Sequence, residues 1–361
     1  MSSESKQINM CMSKYFSPFN ENEIDNTKLK AFFYKKRIWP QFRDITLVFI
    51  GDGEDISINP INRDSDVDPL DKEIKDLLTS NPRMITIKEA IKRIVRERIE
   101  PLVNFKFNFI EDQSKAMVKI SLAQNLWPMS DIGYYGDEEG LHNMSFGTWF
   151  DVQVILHEFG HLIGLVHEQQ NPNGKIAWDR EAVLKFGKTQ GWTDQQTEVY
   201  ILYTEKTENI NGSTFDPLSI MVYPYAAELN INKIAINMNT RLSGKDVLWI
   251  CKTYPKQNED PRVTAENFYQ RVYGESLQSS IDKSERMAVV LTVQTVTPVP
   301  TVTPVQTVTS VQTVPTVTPV PTVTPVPSKS DSIIWIVIAI VFGLVIIWGS
   351  ISIFILRIKS K

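Results

Sequence analysis

The chain has 361 residues, with 38 basic against 42 acidic side chains and a net charge of −4, which is enough for one good-sized domain plus further segments. Charge this close to balance, with no basic patch interleaved with aromatics, argues against a nucleic-acid partner. The two cysteines, Cys11 and Cys251, make no disulfide framework and suit a reducing compartment or indifference to redox state.

Residues 1–37 form a polar leader with no apolar segment of signal-peptide length, helical at most around Thr27 to Tyr34. Cys11 lies in it without a metal-ligand motif and reads as a surface thiol. Ile45 to Ile50 is β-branched and apolar, a strand ending at Gly51-Asp52-Gly53. Residues 54–84, with Pro60, Pro69 and Pro82, read as loop. The stripe Ile87, Ala90, Ile91, Ile94 and Val95 predicts a helix to about Glu100, stopped by Pro101. Alternation predicts strands over Phe105 to Ile110 and Met117 to Leu122, and Asn143 to Gly147 reads as a short strand or sheet edge.

The sequence His157-Glu158-Phe159-Gly160-His161-Leu162-Ile163-Gly164-Leu165-Val166-His167-Glu168 follows an apolar run. On a helix, residues four apart share a face, so His157 and His161 present two imidazoles at a spacing that grips one zinc ion. Glu158 sits one position on, where a general base belongs. Gly164 can end the helix in a left-handed turn and return His167 as a third ligand. Three of the four histidines lie in this motif; the fourth, His142, reads as a surface or rim residue.

Downstream, Gln169 to Gly174 is a turn and Asp179 to Lys188 a helix, while residues 193–214 are polar and irregular. Ser243-Gly244-Lys245-Asp246 is a capping box that opens a helix closed by Pro255. Residues 256–289 read as a connector with at most a short amphipathic helix. Residues 290–328 repeat units such as Thr-Val-Thr-Pro-Val-Pro, an extended, disordered stalk in which proline forbids helix and central strand. Residues 333–356 are uncharged and apolar over a length that spans a bilayer, and residues 357–361 are a basic tail.

HExxHxxGxxH resembles the zinc signature of the metzincin proteases, and the following Glu168 resembles the astacin branch. Ser219-Ile220-Met221-Val222-Tyr223 is similar to the astacin Met-turn, with Val222 in place of the family's His. The resemblance covers residues 38–255. It implies an α+β metzincin domain, with a twisted mixed sheet, a zinc helix and a smaller C-terminal subdomain. It implies Zn²⁺ held by His157, His161 and His167, with Glu158 catalytic, Tyr223 stabilising the oxyanion and Met221 an apolar floor. In that family Glu168 pairs with the processed N-terminus. The resemblance further implies a substrate-binding edge near Tyr134 to Thr148, with Asn143, Met144, Ser145 and Phe146 on it. Phe49-Ile50-Gly51-Asp52 matches the string with which the family's pro-segments plug the zinc, but it falls on a core strand.

The expectation is a membrane-anchored zinc metalloendopeptidase acting on proteins or peptides. The alternative is an inactive zinc-fold head of an attachment protein. A single span at 333–356 with no signal peptide favours a tail anchor with the domain facing the cytosol; the basic tail and the sequons at Asn143 and Asn211 favour a lumenal or outer face.

Overall fold

The computed structural model describes residues 33–53, 56–58, 67–80, 85–123, 127–137, 142–147, 149–174, 176–206, 210–211 and 214–292, all within one compact unit. The leader before residue 33 with Cys11, the stalk beyond residue 292, the apolar span 333–356 and the basic tail lie outside them. Among the described residues no helix is long and apolar enough to cross a membrane.

The chain enters through β1 (Phe33–Tyr34) and then β2 (Ile45–Ile50), β3 (Ser57–Ile58), α1 (Pro69–Ser80) and α2 (Ile87–Ile94). The stretch read as loop thus contains α1. Pro69 opens that helix, where its missing N–H costs nothing, and Leu70, Ile74 and Leu78 bury one face at four-residue spacing. Thr86 caps α2 by accepting from the Glu89 N–H. The predicted helix to Glu100 continues as a π-helical turn, Val95–Ile99, and a 3₁₀ turn, Glu100–Leu102.

Next come β4 (Phe107–Phe109), β5 (Val118–Ser121), β6 (Pro128–Ser130), β7 (His142–Phe146) and β8 (Trp149–Phe150). The main sheet has the order β4-β2-β5-β7-β6. Its first four strands run parallel, and β6 pairs antiparallel with β7 at the edge. Asn143, Met144, Ser145 and Phe146 therefore lie on an interior strand between β5 and β6, and the edge on that side of the sheet belongs to β6. Phe49 and Ile50, which carry the plug-like string, pair with Ile120 and Ser121 of β5 in the sheet.

Helix α3 (Val152–Leu162) packs on this sheet through Phe159, which meets Phe107 edge-on at 5.5 Å and stacks on Phe146 at 6.2 Å. Then follow α4 (Arg180–Thr189), α5 (Asp194–Thr197), β9 (Ile210–Asn211), α6 (Gly244–Thr253), α7 (Pro261–Tyr273) and α8 (Leu277–Thr292). Within the span read as irregular, α5 carries a capping box of Thr193 and Gln196, and β9 pairs with β1. The leader's last residues are thus part of the fold.

The structure extends past Pro255. Ala265, Phe268, Tyr269, Leu277 and Ile281 join the main core, and Ala288 and Leu291 join the smaller C-terminal core. Tyr273 of α7 donates to Asp68, which is also clamped by Arg98, both charges being buried. The connector is therefore two packed helices, and α8 reaches into the first residues assigned to the stalk.

Candidate active site

The zinc helix is tied at both ends. Asp151 caps its start, accepting from the Gln153 N–H, and is itself 3.6 Å from buried Lys75 of α1. At its end the carbonyls of Leu162 and Ile163 accept from Trp39 Nε1 and the Tyr254 hydroxyl at 2.6 and 2.7 Å. These are groups that a helix cannot satisfy by itself. Gly164 follows with φ +100°, the left-handed turn the sequence predicts.

That turn brings His167 back. The ligating nitrogens of His157, His161 and His167 lie within 4.8 Å of one another. His157 Nδ1 is 2.8 Å from the Ile220 carbonyl and His161 Nδ1 is 2.9 Å from that of Leu165. A carbonyl only accepts, so each Nδ1 carries the proton and each Nε2 is left as a lone-pair donor. His157 Nε2 is buried with no hydrogen-bond partner among the described residues. Burial holds His157 down to about 4 and pulls His161 and His167 well below the usual range, the neighbouring imidazoles adding to it. Three neutral imidazoles converging on one point, one with a stranded lone pair, fit a zinc ion with an open fourth position.

Glu158 is fully buried beside them, and lines with His157 a cleft of about 450 Å³. Met221 is buried beneath the helix. A Cβ on Gly160 would stand 2.6 Å from its sulfur, so only glycine lets the turn approach this closely. Tyr223 is buried with its ring centroid 4.4 Å from that of His167. The other walls of the cleft are Val154, Ile220, Val222, Pro224 and Met238, with the amides of Gln153 and Asn239 among them and Pro128 of β6 at one side. None of residues 143–146 lines it. His142 departs from the rim position read from sequence: it is buried, stacked on Tyr135 at 4.6 Å.

Residues 79–245 match the family model Astacin (Peptidase family M12A). This part of the chain is an astacin-family zinc metallopeptidase. The chain is also similar to myroilysin in two solved structures. One has TM-score 0.47 and 22% identity over 62% of this chain and 98% of that chain; the other has 0.38 and 20% over 70% and 93%. A third similar structure is high choriolytic enzyme 1, a hatching enzyme zinc-protease from Oryzias latipes (medaka fish), with TM-score 0.38 and 14% identity over 64% of this chain and 100% of that chain. No curated protein gives a significant match.

Glu168 of this astacin-family domain is buried in a second polar cluster. Its Oε1 accepts from the Asp216 N–H and from Asn171 Nδ2, each at 2.8 Å. Burial, then the charge of Asp216, raises its pKa well above the carboxylate range. Asp246 lies in the same cluster and is raised to about 7 by burial and by Asp216. It accepts from the Ser219 hydroxyl and the N–H groups of Ile220 and Ser243. The capping box at 243–246 thus also holds the Met-turn, a second role that the sequence reading missed along with Gly160. The adjacency of Phe215-Asp216 to the turn and the Ser-x-x-Asp pattern were the available signals. Cys251 is buried with its thiol pushed up to about 12 by that burial.

Proposed function

We propose that this chain is a membrane-anchored endopeptidase in which His157, His161 and His167 hold the zinc, Glu158 is the general base and Tyr223 stabilises the oxyanion. The convergence of three neutral imidazoles on the cleft that Glu158 lines carries the reading. When bound, Zn²⁺ supplies a Lewis acid that makes water acidic and polarises the scissile carbonyl. Glu158 takes the attacking water's proton and hands it to the leaving nitrogen. The Tyr223 phenol, packed beside His167, would donate to the developing oxyanion. The outer edge of β6 would take the substrate as an added strand. The cleft's largely apolar walls, with Gln153 and Asn239 as uncharged polar groups and no charged group but Glu158, favour peptides with an uncharged side chain next to the scissile bond.

An inactive zinc-fold head has no use for a buried carboxylate at 158. The test is hydrolysis of casein and short peptides by the full-length chain, since an end before residue 292 cuts into α8. Glu158→Ala should keep the fold and the zinc and lose about 10²–10⁴-fold in kcat; a variant as active as the parent would refute the mechanism.

Residues 333–356 would anchor the protein, with the domain on the cytosolic face. Protease treatment of intact vesicles decides the side: a digested domain supports this orientation. A domain shielded until detergent is added, or glycan at Asn143 or Asn211, would place it outside the cytosol.

A further inference from the structure

We propose that Ser284 of α8 is a positioning residue of the zinc site, acting through Asp216 and Asp246 on the turn that holds His157. The proposal rests on the peptidase reading above and extends it to a helix beyond the matched span 79–245.

The connection is continuous and buried. The Ser284 hydroxyl donates to Asp216 Oδ1 at 2.6 Å, and both residues are almost fully buried. The other oxygen of Asp216 accepts from the Ser243 hydroxyl at 2.6 Å. Ser243 Oγ accepts the Asp246 N–H, and its own N–H donates to Asp246 Oδ2. That same oxygen accepts the Ile220 N–H at 2.8 Å, while Oδ1 takes the Ser219 hydroxyl at 2.7 Å. Ser219 Oγ accepts in turn from the Met221 N–H. The Ile220 carbonyl is the group that orients His157 Nδ1. Ile220 is thus fixed on both sides, its N–H by the aspartate network and its carbonyl by the zinc ligand.

α8 is held against this network at a second point. Ser280 Oγ accepts from the Gly244 N–H and from the Tyr269 hydroxyl. A Cβ on Gly244 would stand 2.9 Å from that of Ser280, so the two helices touch at the capping box itself. Hydrogen bonds to a buried carboxylate are strong and directional, and partners behind a metal-bound histidine set its orientation. Without Ser284, Asp216 loses a donor it cannot replace from water and is free to shift toward Ser243, which moves Asp246 and with it the backbone at Ile220.

The test uses the full-length chain carrying Ser284→Ala, Ser284→Thr, or Glu285→Ala on the exposed face of the same helix. Ser284→Ala should lower kcat about tenfold with KM within about twofold, and should speed zinc loss to a chelator about tenfold, as changes behind metal ligands do. In the metal-free protein the His157 Nδ1 proton, followed by NMR, should exchange with water faster. Ser284→Thr should restore the parent values and Glu285→Ala should keep them. Unchanged zinc release and proton exchange in Ser284→Ala would overturn the proposal, as would a fall in melting temperature without those effects. Should Ser284→Ala not fold, Asp216→Asn, which keeps the volume, must show the same faster release and exchange or the proposal fails. A parent that hydrolyses no peptide would sink the peptidase reading, and zinc release and exchange would still decide this one.

Discussion

Two buried trios of polar side chains lie on either side of the Met-turn. His157, His161 and His167 point nitrogens at a common centre, and His157 Nε2 meets no partner among the described residues. Glu168, Asp216 and Asp246 are likewise buried, yet each accepts from donors of adjoining chain: Asn171 for the first, Ser243 and Ser284 for the second, Ser219 and two backbone N–H groups for the third. A buried polar group without a partner is costly. A trio that leaves the His157 lone pair unmet at a common point is therefore built for something that arrives from outside. A trio that is answered from within is built to hold the chain. Charge tells the same story: burial keeps the imidazoles neutral and ready to ligate, whereas Glu168 and Asp246 are raised by burial and then by the charge of Asp216.

Breaking the first trio should have the largest effect. His161→Ala should abolish zinc retention and lower peptide hydrolysis by at least about 10⁴-fold, since the zinc-dependent chemistry goes with the ligand; the chain should keep its far-UV circular dichroism. Breaking the second should act on stability first. Asp246→Ala strands the Ile220 and Ser243 N–H groups and should cost about 3 kcal/mol. Asp246→Asn keeps the shape and an acceptor and should cost under about 1 kcal/mol at neutral pH, because the carboxyl it replaces is already raised to about 7. Denaturant melts of the two variants separate hydrogen bonding from charge, and equal losses would mean that the ionised form is what the turn needs.

The first trio was legible in the sequence because its chemistry is local. Helical spacing places His157 over His161, and Gly164 announces the turn that returns His167. The second was not, because its members come from 168, 216 and 246 and meet only when the Met-turn docks on α6. Among the elements, β2 and the helix at 244–253 were readable from β-branching and a capping box. Helix α1 was missed because prolines were read as breakers, although Pro69 sits where a helix tolerates it. The edge role given to 143–146 failed because strand pattern does not reveal strand order. Helices α7 and α8 carry mixed polar faces, and only their packing on the cores shows which side is buried.

A smaller effect is expected from pH. In the metal-free protein the buried histidines are neutral, with His142 and His157 held down to about 4. An unfolded chain binds protons on them below about 6.5. Between these values the unfolded state carries more protons, so stability should be full above pH 6.5 and be lost as pH falls toward 4. Asp246 works in the opposite sense. Its folded form, raised to about 7, holds a proton that the unfolded form releases above about 3.9, so its contribution declines as pH rises. Asp246→Asn should therefore steepen the acid sensitivity, and denaturant midpoints at pH 4.5 and 6.5 read the change.

The central claim is that the histidine trio is the zinc site and the acidic trio is its support. Metal analysis of the folded full-length chain, alongside His161→Ala and Asp246→Asn, tests it directly. The account predicts about one zinc per chain in the parent and in Asp246→Asn, and none in His161→Ala. A well-folded parent without zinc, or a His161→Ala chain that keeps it, would contradict the account.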